Sequence, residues 1–270
     1  PDALLVRLIS VDSWTLLFWR GLLSGSTLLI SLLFLYRQQL VQMIRATGRL
    51  GFLSAGAAAT GNIFFVCSLR QTTAANTLVI LAATPLLAAL ASRIFIKEQV
   101  PRRTWLAIST AFIGILILFS GSMGSQSLLG DFLAICAACC WASTLVIVRA
   151  ARPLNMIPAN AFGNLMVAPI VLLFGATPLS VPTTDYGLLL ILGILVLPLS
   201  YALITLAPRL LPAPEVSLTL LLETLLGPFW VWLVVNEEPT MATVAGGALI
   251  IGTLVVHTLT SMRSPQNFQH

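Results

Sequence analysis

The stretch 76–119 constrains this chain most: NTLVILAATPLLAALASRIFIKEQVPRRTWLAISTAFIGILILF. Residues 76–96 carry one charge, Arg93, near their end; a short charged hairpin, KEQVPRR, follows, and 104–119 is uncharged again. About 20 consecutive apolar residues cross a bilayer as an α-helix. A helix is required because lipid offers backbone amides no partner. The stretch reads as two antiparallel transmembrane helices joined by a tight basic loop.

The pattern returns over 213–258. A long apolar run ends in Asn236-Glu237-Glu238-Pro239, and the next run carries Gly246, Gly247 and Gly252. Ala83 falls opposite Glu223, Glu98 opposite Glu238, and Pro101 opposite Pro239 after a two-residue deletion in the hairpin. A repeat of this length indicates a duplicated membrane domain.

Only 9% of the 270 residues are charged and 58% are hydrophobic, whereas a soluble domain carries about 25% charged residues. Little of the chain is left for an appended enzyme or ligand-binding domain. The start at Pro1-Asp2 has no basic leader, so no cleavable signal peptide is expected. Cys67, Cys136, Cys139 and Cys140 all lie in apolar runs without His or carboxylate company, which reads as packing rather than a metal site.

The expected spans are 14–36, 50–69, 76–96, 104–119, 132–148, 158–175, 186–207, 213–235 and 241–258, with 1–9 as the tail of a first helix. The second half's first span starts earlier than the position matching Pro1, so about half a helix is expected to precede Pro1. Eleven of the fourteen Lys and Arg residues fall in alternate loops: Arg37, Arg45, Arg49, Lys97, Arg102, Arg103, Arg149, Arg152, Arg209 and Arg263, with Arg93 nearby. The other side has Arg7, Arg20 and Arg70 beside Asp12, Asp131, Asp185, Glu237 and Glu238. By the positive-inside rule the basic side is cytoplasmic, so the net charge of +5 is topogenic and no nucleic acid partner is expected. Five spans per half is odd, so the halves insert in opposite senses as an inverted repeat.

These residues resemble a known module. The run AANTLVILAATPLLAAL, then Lys97-Glu98 with Trp105 soon after and GILIL, is similar to the EamA module of the drug/metabolite transporter superfamily; so is APEVSLTLLLETLLGPFWVWL, followed by NEEPT and GGALIIG. Glu98 and Glu238 match the family's hairpin acid, and Arg20 matches an arginine common in its second helix. The resemblance implies an all-α membrane protein: two five-helix EamA repeats, 1–122 and 128–262, with the first helix truncated, and a cytoplasmic tail at 263–270. It implies a central cavity, alternating access, and a multi-pass place in the inner membrane with a cytoplasmic C-terminus. The expected role is efflux of amino acids or similar small metabolites, coupled to a proton or counter-substrate, by a monomer or homodimer without a cofactor. Carriage of nucleosides, nucleotide-linked metabolites or drugs is the alternative, and an intramembrane lipid-modifying enzyme is a weaker one. No HExxH, GxSxG or Gly-rich phosphate loop supports catalysis.

Glu223 is the sharpest candidate for chemistry. It lies mid-span, where an acid costs roughly 2.5–3.5 kcal/mol on insertion scales and so should face a cavity or partner. Thr219, Gly227 and Trp230 share its helix face. Arg20 lies inside its span, poised for a substrate carboxylate or for an acid such as Asp2, with snorkelling as the structural alternative. Asn62 and Tyr201 sit mid-span on matching helices as candidate cavity groups; Asn76 and Asn164 are further intramembrane polar residues. Trp141 and Trp230 offer flat faces to an apolar or aromatic substrate. Pro85, Pro169, Pro198 and Pro228 are expected to interrupt helices, and Gly21 with Gly25 forms a GxxxG pair suited to internal packing or to a dimer seam.

Glu223 is expected to serve transport rather than folding, because the matching Ala83 shows that the scaffold needs no acid at that depth. A Glu223→Gln protein should insert, remain monodisperse in detergent and lose most concentrative flux. Normal flux in a stable Gln variant refutes the assignment.

Overall fold

The computed structural model describes residues 2–37, 39–97, 101–122, 127–151, 154, 156–201, 203, 226–236 and 238–263. Along them run α1 (Asp2–Leu8), α2 (Ser13–Tyr36), α3 (Gln39–Gln71), α4 (Ala74–Ala82), α5 (Thr84–Phe95), α6 (Arg102–Ser122), α7 (Ser127–Ala150) and α8 (Ile157–Leu172). They are followed by α9 (Thr183–Tyr201), α10 (Leu226–Val235) and α11 (Met241–Arg263). Among the described residues, seven helical segments are long and apolar enough to cross a membrane, with α4 and α5 together forming one.

Packing follows the duplication. If each first-half helix is matched with the helix five spans later, α2 pairs with α8 and α6 with α11, and both matched pairs are in contact. Contacts between unmatched helices also come in mirrored sets: α3 packs on α7 and α8, while α9 packs on α1 and α2. This is the contact pattern of two intertwined, oppositely inserted five-helix repeats.

Small residues set the crossings. At Gly21 an added Cβ would stand 2.6 Å from Asn164 O, and at Gly25 it would stand 2.7 Å from Leu165 N. The GxxxG pair is therefore an internal seam between α2 and α8. The α6–α11 crossing uses Gly114 and Gly246, where a Cβ on Gly246 would lie 2.5 Å from Gly114 O. In lipid the hydrophobic effect does not draw helices together, so close approach of small residues supplies the van der Waals contact.

Local chemistry explains the helix breaks. Asp12 caps α2, accepting from the Trp14 and Thr15 amides at 3.0 Å each. Partial burial works against its charge, but these hydrogen bonds hold its carboxyl below the ordinary carboxylate range. The 76–96 span is split at Ala83, with Pro85 in the first turn of α5. In α9 the helix widens to a π-turn over Ile191–Val196, closed by Leu197 N–H to Leu192 O, just before Pro198. Pro198 cannot donate to the ladder, and the π-turn absorbs the irregularity. Pro169, by contrast, sits inside α8 without ending it; the helix stops three residues later, so little ladder is lost. The loop expected over 37–49 is largely helical. Residues 39–47 form an amphipathic turn-in, with Leu40 and Ile44 on Leu28, Leu32 and Tyr36, and the chain swings into the span at Gly48, whose φ of 50° suits glycine.

Gly25→Ala is expected to lower thermal stability in detergent, because its methyl meets Leu165 backbone, whereas Gly56, with nothing within 4 Å of an added Cβ, should accept Ala with no loss or a gain of up to about 1 kcal/mol in helix propensity. Equal effects of the two substitutions would contradict the seam.

Candidate functional site

Arg20 lies in the second turn of α2, and its residue is only 4% exposed. A guanidinium at such a depth needs a counter-charge, because desolvation of an unpaired ion is costly. Asp2 of α1 supplies it, its Oδ2 lying 2.7 Å from Arg20 Nη2. The guanidinium also sits over the Phe65 ring, 5.1 Å from its centroid, as a cation on the negative face of the π system. Phe65 in turn meets Trp141 of α7, centroid to centroid 5.4 Å. The Trp141 indole lies so close to Gly61 that a Cβ there would stand 2.6 Å from its Cδ1.

Asn62 is three residues before Phe65 and shares its face of α3. Its Nδ2 donates to Asn164 Oδ1 of α8 at 2.7 Å, and both asparagines are 4% exposed. Asn164 is the residue whose carbonyl approaches Gly21, next to Arg20. Four helices, α2, α3, α7 and α8, thus bring Arg20, Asn62, Phe65, Trp141 and Asn164 into one polar and aromatic group. Among the described residues, Arg20 Nη1 and Asn62 Oδ1 have no hydrogen-bond partner although both are buried. Asp2 Oδ1, on the ion-pair partner of Arg20, is buried and unmet as well; each such group is costly, and a ligand that both accepts and donates hydrogen bonds can meet them. Asn160 Oδ1 on α8 and Ser54 Oγ on α3 are likewise buried and unpartnered. They lie on the Arg37 side of the group, Ser54 about 12 Å from Asn62 along the helix.

The remaining candidates are distributed as follows. Tyr201 follows the π-turn and packs against both the Phe65 core and the Leu28–Leu32 cluster. Asn76 sits in the first turn of α4, away from Arg20, and donates from Nδ2 to Asp131 Oδ1 at 3.0 Å; it also accepts from Thr243 Oγ1. Asp131, fully buried, accepts from Thr72 Oγ1 at 2.6 Å as well. Trp230 on α10 is 44% exposed, with its edge toward Phe229. Glu223 and Thr219 lie outside the described residues. Phe65 and Asp131 were not singled out as site residues from sequence. The i, i+3 spacing from Asn62 could have marked Phe65, whereas nothing local marks Asp131 as a partner for Thr72 and Asn76 more than fifty residues away.

The family model of the EamA-like transporter family matches residues 4–120 and again 128–259. The chain belongs to the EamA-like transporter family. It is a multi-pass membrane protein. It is similar to the uncharacterized transporter YyaM of Bacillus subtilis (strain 168), 28% identical over 181 residues, which is 63% of this chain and 58% of that protein. The aligned part therefore spans less than two thirds of that relative's length. A crystal structure of a protein with 16% sequence identity superposes with a TM-score of 0.67 over 94% of this chain and 90% of the other, a likeness of fold alone.

Asp2→Asn should destabilise the protein by about 1–2 kcal/mol, less than the full cost of breaking a buried pair, since Arg20 is 4% exposed and loses its counter-charge while Asp2 is 28% exposed. Arg20→Met in the same background should recover part of that loss. A double-mutant cycle in detergent melts checks it; additivity of the two changes would rule out the pair as a stabilising unit.

Proposed function

We propose that this chain exports amino acids or closely similar small metabolites by alternating access, with the Arg20–Asn62 group as the recognition point. The reading is carried by two buried and unsatisfied groups, Arg20 Nη1 and Asn62 Oδ1. A carboxylate accepts from Arg20 in a charge-assisted bond; an ammonium donates to Asn62; and the faces of Phe65 and Trp141 suit an apolar or aromatic side chain. Glu223, mid-span by sequence, completes the scheme as a proton or ammonium site. No ATP-binding motif occurs in the sequence, so a proton gradient or exchange drives the cycle.

Direction follows from charge. The end of the bundle with Asp12, Asp131 and Asp185 is poor in Lys and Arg, and the Arg37–Arg49 end is rich in them; the positive-inside rule makes the former the outer face of the inner membrane and the C-terminus cytoplasmic. In that orientation the unmet Asn160 Oδ1 and Ser54 Oγ lie on the cytoplasmic side of Arg20, and the unmet Asp2 Oδ1 and Arg70 Nε toward the outer side.

The test is flux of a metabolite panel in proteoliposomes, with and without a proton gradient. α-Amino acids should move, and Arg20→Gln should reduce their flux about a hundredfold, the loss of one buried charge-assisted bond worth about 3 kcal/mol. Transport confined to nucleosides or sugars, or full amino acid flux in Arg20→Gln, would refute the assignment.

A further inference from the structure

At the end of the bundle that holds Asp185, α1 and α3 clasp one another through a pair of arginines. Arg70, in the last turn of α3, donates from Nη2 to Ile9 O at 2.9 Å and to Val11 O at 2.8 Å, capping the carbonyls where α1 ends. Arg7, in the last turn of α1, donates from Nη2 to Thr72 O, where α3 ends. Each cation thus sits at the negative end of the neighbouring helix. The turn between α1 and α2 is held from the other repeat as well: Asp185, at the start of α9, accepts from Ser10 N at 2.8 Å and from Ser10 Oγ at 2.7 Å.

We propose that this clasp is the outer gate of the transporter, closed in the structure, and that the Ser10–Asp185 and Arg70–Ile9/Val11 bonds must part before the Arg20 group meets the outside. The designation "outer" rests on the orientation argued above. Three features distinguish a gate from ordinary helix capping. First, the Ser10–Asp185 bonds join the two repeats, so relative motion of the repeats stretches them, while the arginine bonds hold α1 to α3 within the first repeat. Second, its bonds end on backbone carbonyls, a hydroxyl and a carboxylate, and once the helices part, each can be exchanged for a bond to water at small net cost; an interlocked apolar plug lacks that exchange. Third, the repeat supplies counterparts at the opposite end: Arg149 lies in the last turn of α7 as Arg7 does in α1, and in the sequence Arg209 follows the 186–207 span as Arg70 follows the matching one. An inverted pair of clasps, one made while the other is parted, is what alternating access through a duplicated fold requires.

Cys67 lies one turn inside Arg70 on the same helix and is partly exposed, so it reports on the gate without any substrate. The experiment uses the full chain with Cys136, Cys139 and Cys140 changed to Ala, in right-side-out and inside-out vesicles, and measures labelling of Cys67 by a membrane-impermeant maleimide. Ser10→Ala with Asp185→Asn should raise the outer labelling rate by about fivefold, as a shift in the open population. Ser10→Cys with Asp185→Cys, once oxidised, should suppress outer labelling, and reduction should restore it. Rates unchanged by both loosening and cross-linking, or a Cys67 equally inert in every form, overturn the gate. A rise seen only from the opposite face overturns the orientation while leaving the clasp as the moving part. If the loosened variant fails to fold, the cross-linked pair decides alone.

Discussion

The approach of α2 to α8 is the contact on which the rest depends. These helices are one of the matched pairs of the duplication, and they meet where Gly21 and Gly25 leave α8 backbone room. Arg20 precedes the first of those glycines, and Asn164 supplies the carbonyl that Gly21 approaches. The crossing therefore delivers a cation from one repeat and an amide from the other to the same depth. Asn164 holds Asn62 by a hydrogen bond, and α3 carries Phe65 under Arg20 one turn further on. If the glycines were larger, the helices would separate and the polar group would disperse. A packing requirement and a recognition requirement are met by one set of backbone contacts.

Around that centre polar groups are buried within an apolar core, and large apolar side chains also cover the outside. Thr15, Ser24, Asn62, Asp131 and Asn164 are buried, while Phe34, Leu35, Phe95 and Leu106 are more than two-thirds exposed. A soluble fold would cover such apolar surface, but lipid accepts exposed leucine and phenylalanine freely, and polar groups in the interior are costly wherever partners are missing. Asp131 illustrates the rule. Its carboxylate lies against the first turn of α4 through Thr72 and Asn76, at the positive end of that helix, where a negative charge is stabilised. It binds α7 to α4 by the same electrostatics that caps a helix from within.

Much of this was legible in the sequence. The alternation of apolar runs and charged hairpins gave the spans, and the recurrence of the hairpin pattern gave the duplication. The cost of burying Arg20 pointed to an acid such as Asp2, and Pro85 marked the break between α4 and α5. What escaped depended on long-range geometry or on weak local signals. Residues 39–47 carry enough polar side chains to pass for a loop, and only packing on Leu28 and Leu32 makes them helical. Pro169 reads like Pro85, yet its place near the end of α8 removes the penalty that would have broken a longer helix. The partners of Asp131 come from α4, the turn before it and, through Asn76, α11; no spacing along the chain brings them together. Glu223 stands where sequence argument is strongest and lies outside the described residues.

At the Asp185 end, carboxylates, hydroxyls and arginines bind one another or backbone carbonyls across α1, α3, α4, α7, α9 and α11. Satisfaction there is incomplete all the same: Asp2 Oδ1 and Arg70 Nε are buried without a hydrogen-bond partner among the described residues, as are Asn160 Oδ1 and Ser54 Oγ along α8 and α3 toward the Arg37 end. In a bilayer an unmet polar atom is stable only beside water or a ligand, so water should reach both ends of the bundle. What sets the Asp185 end apart is the kind of tie it makes. Side chains there cross from one helix to the next, and those ties, rather than the unmet atoms, are what a movement of one repeat against the other would have to break.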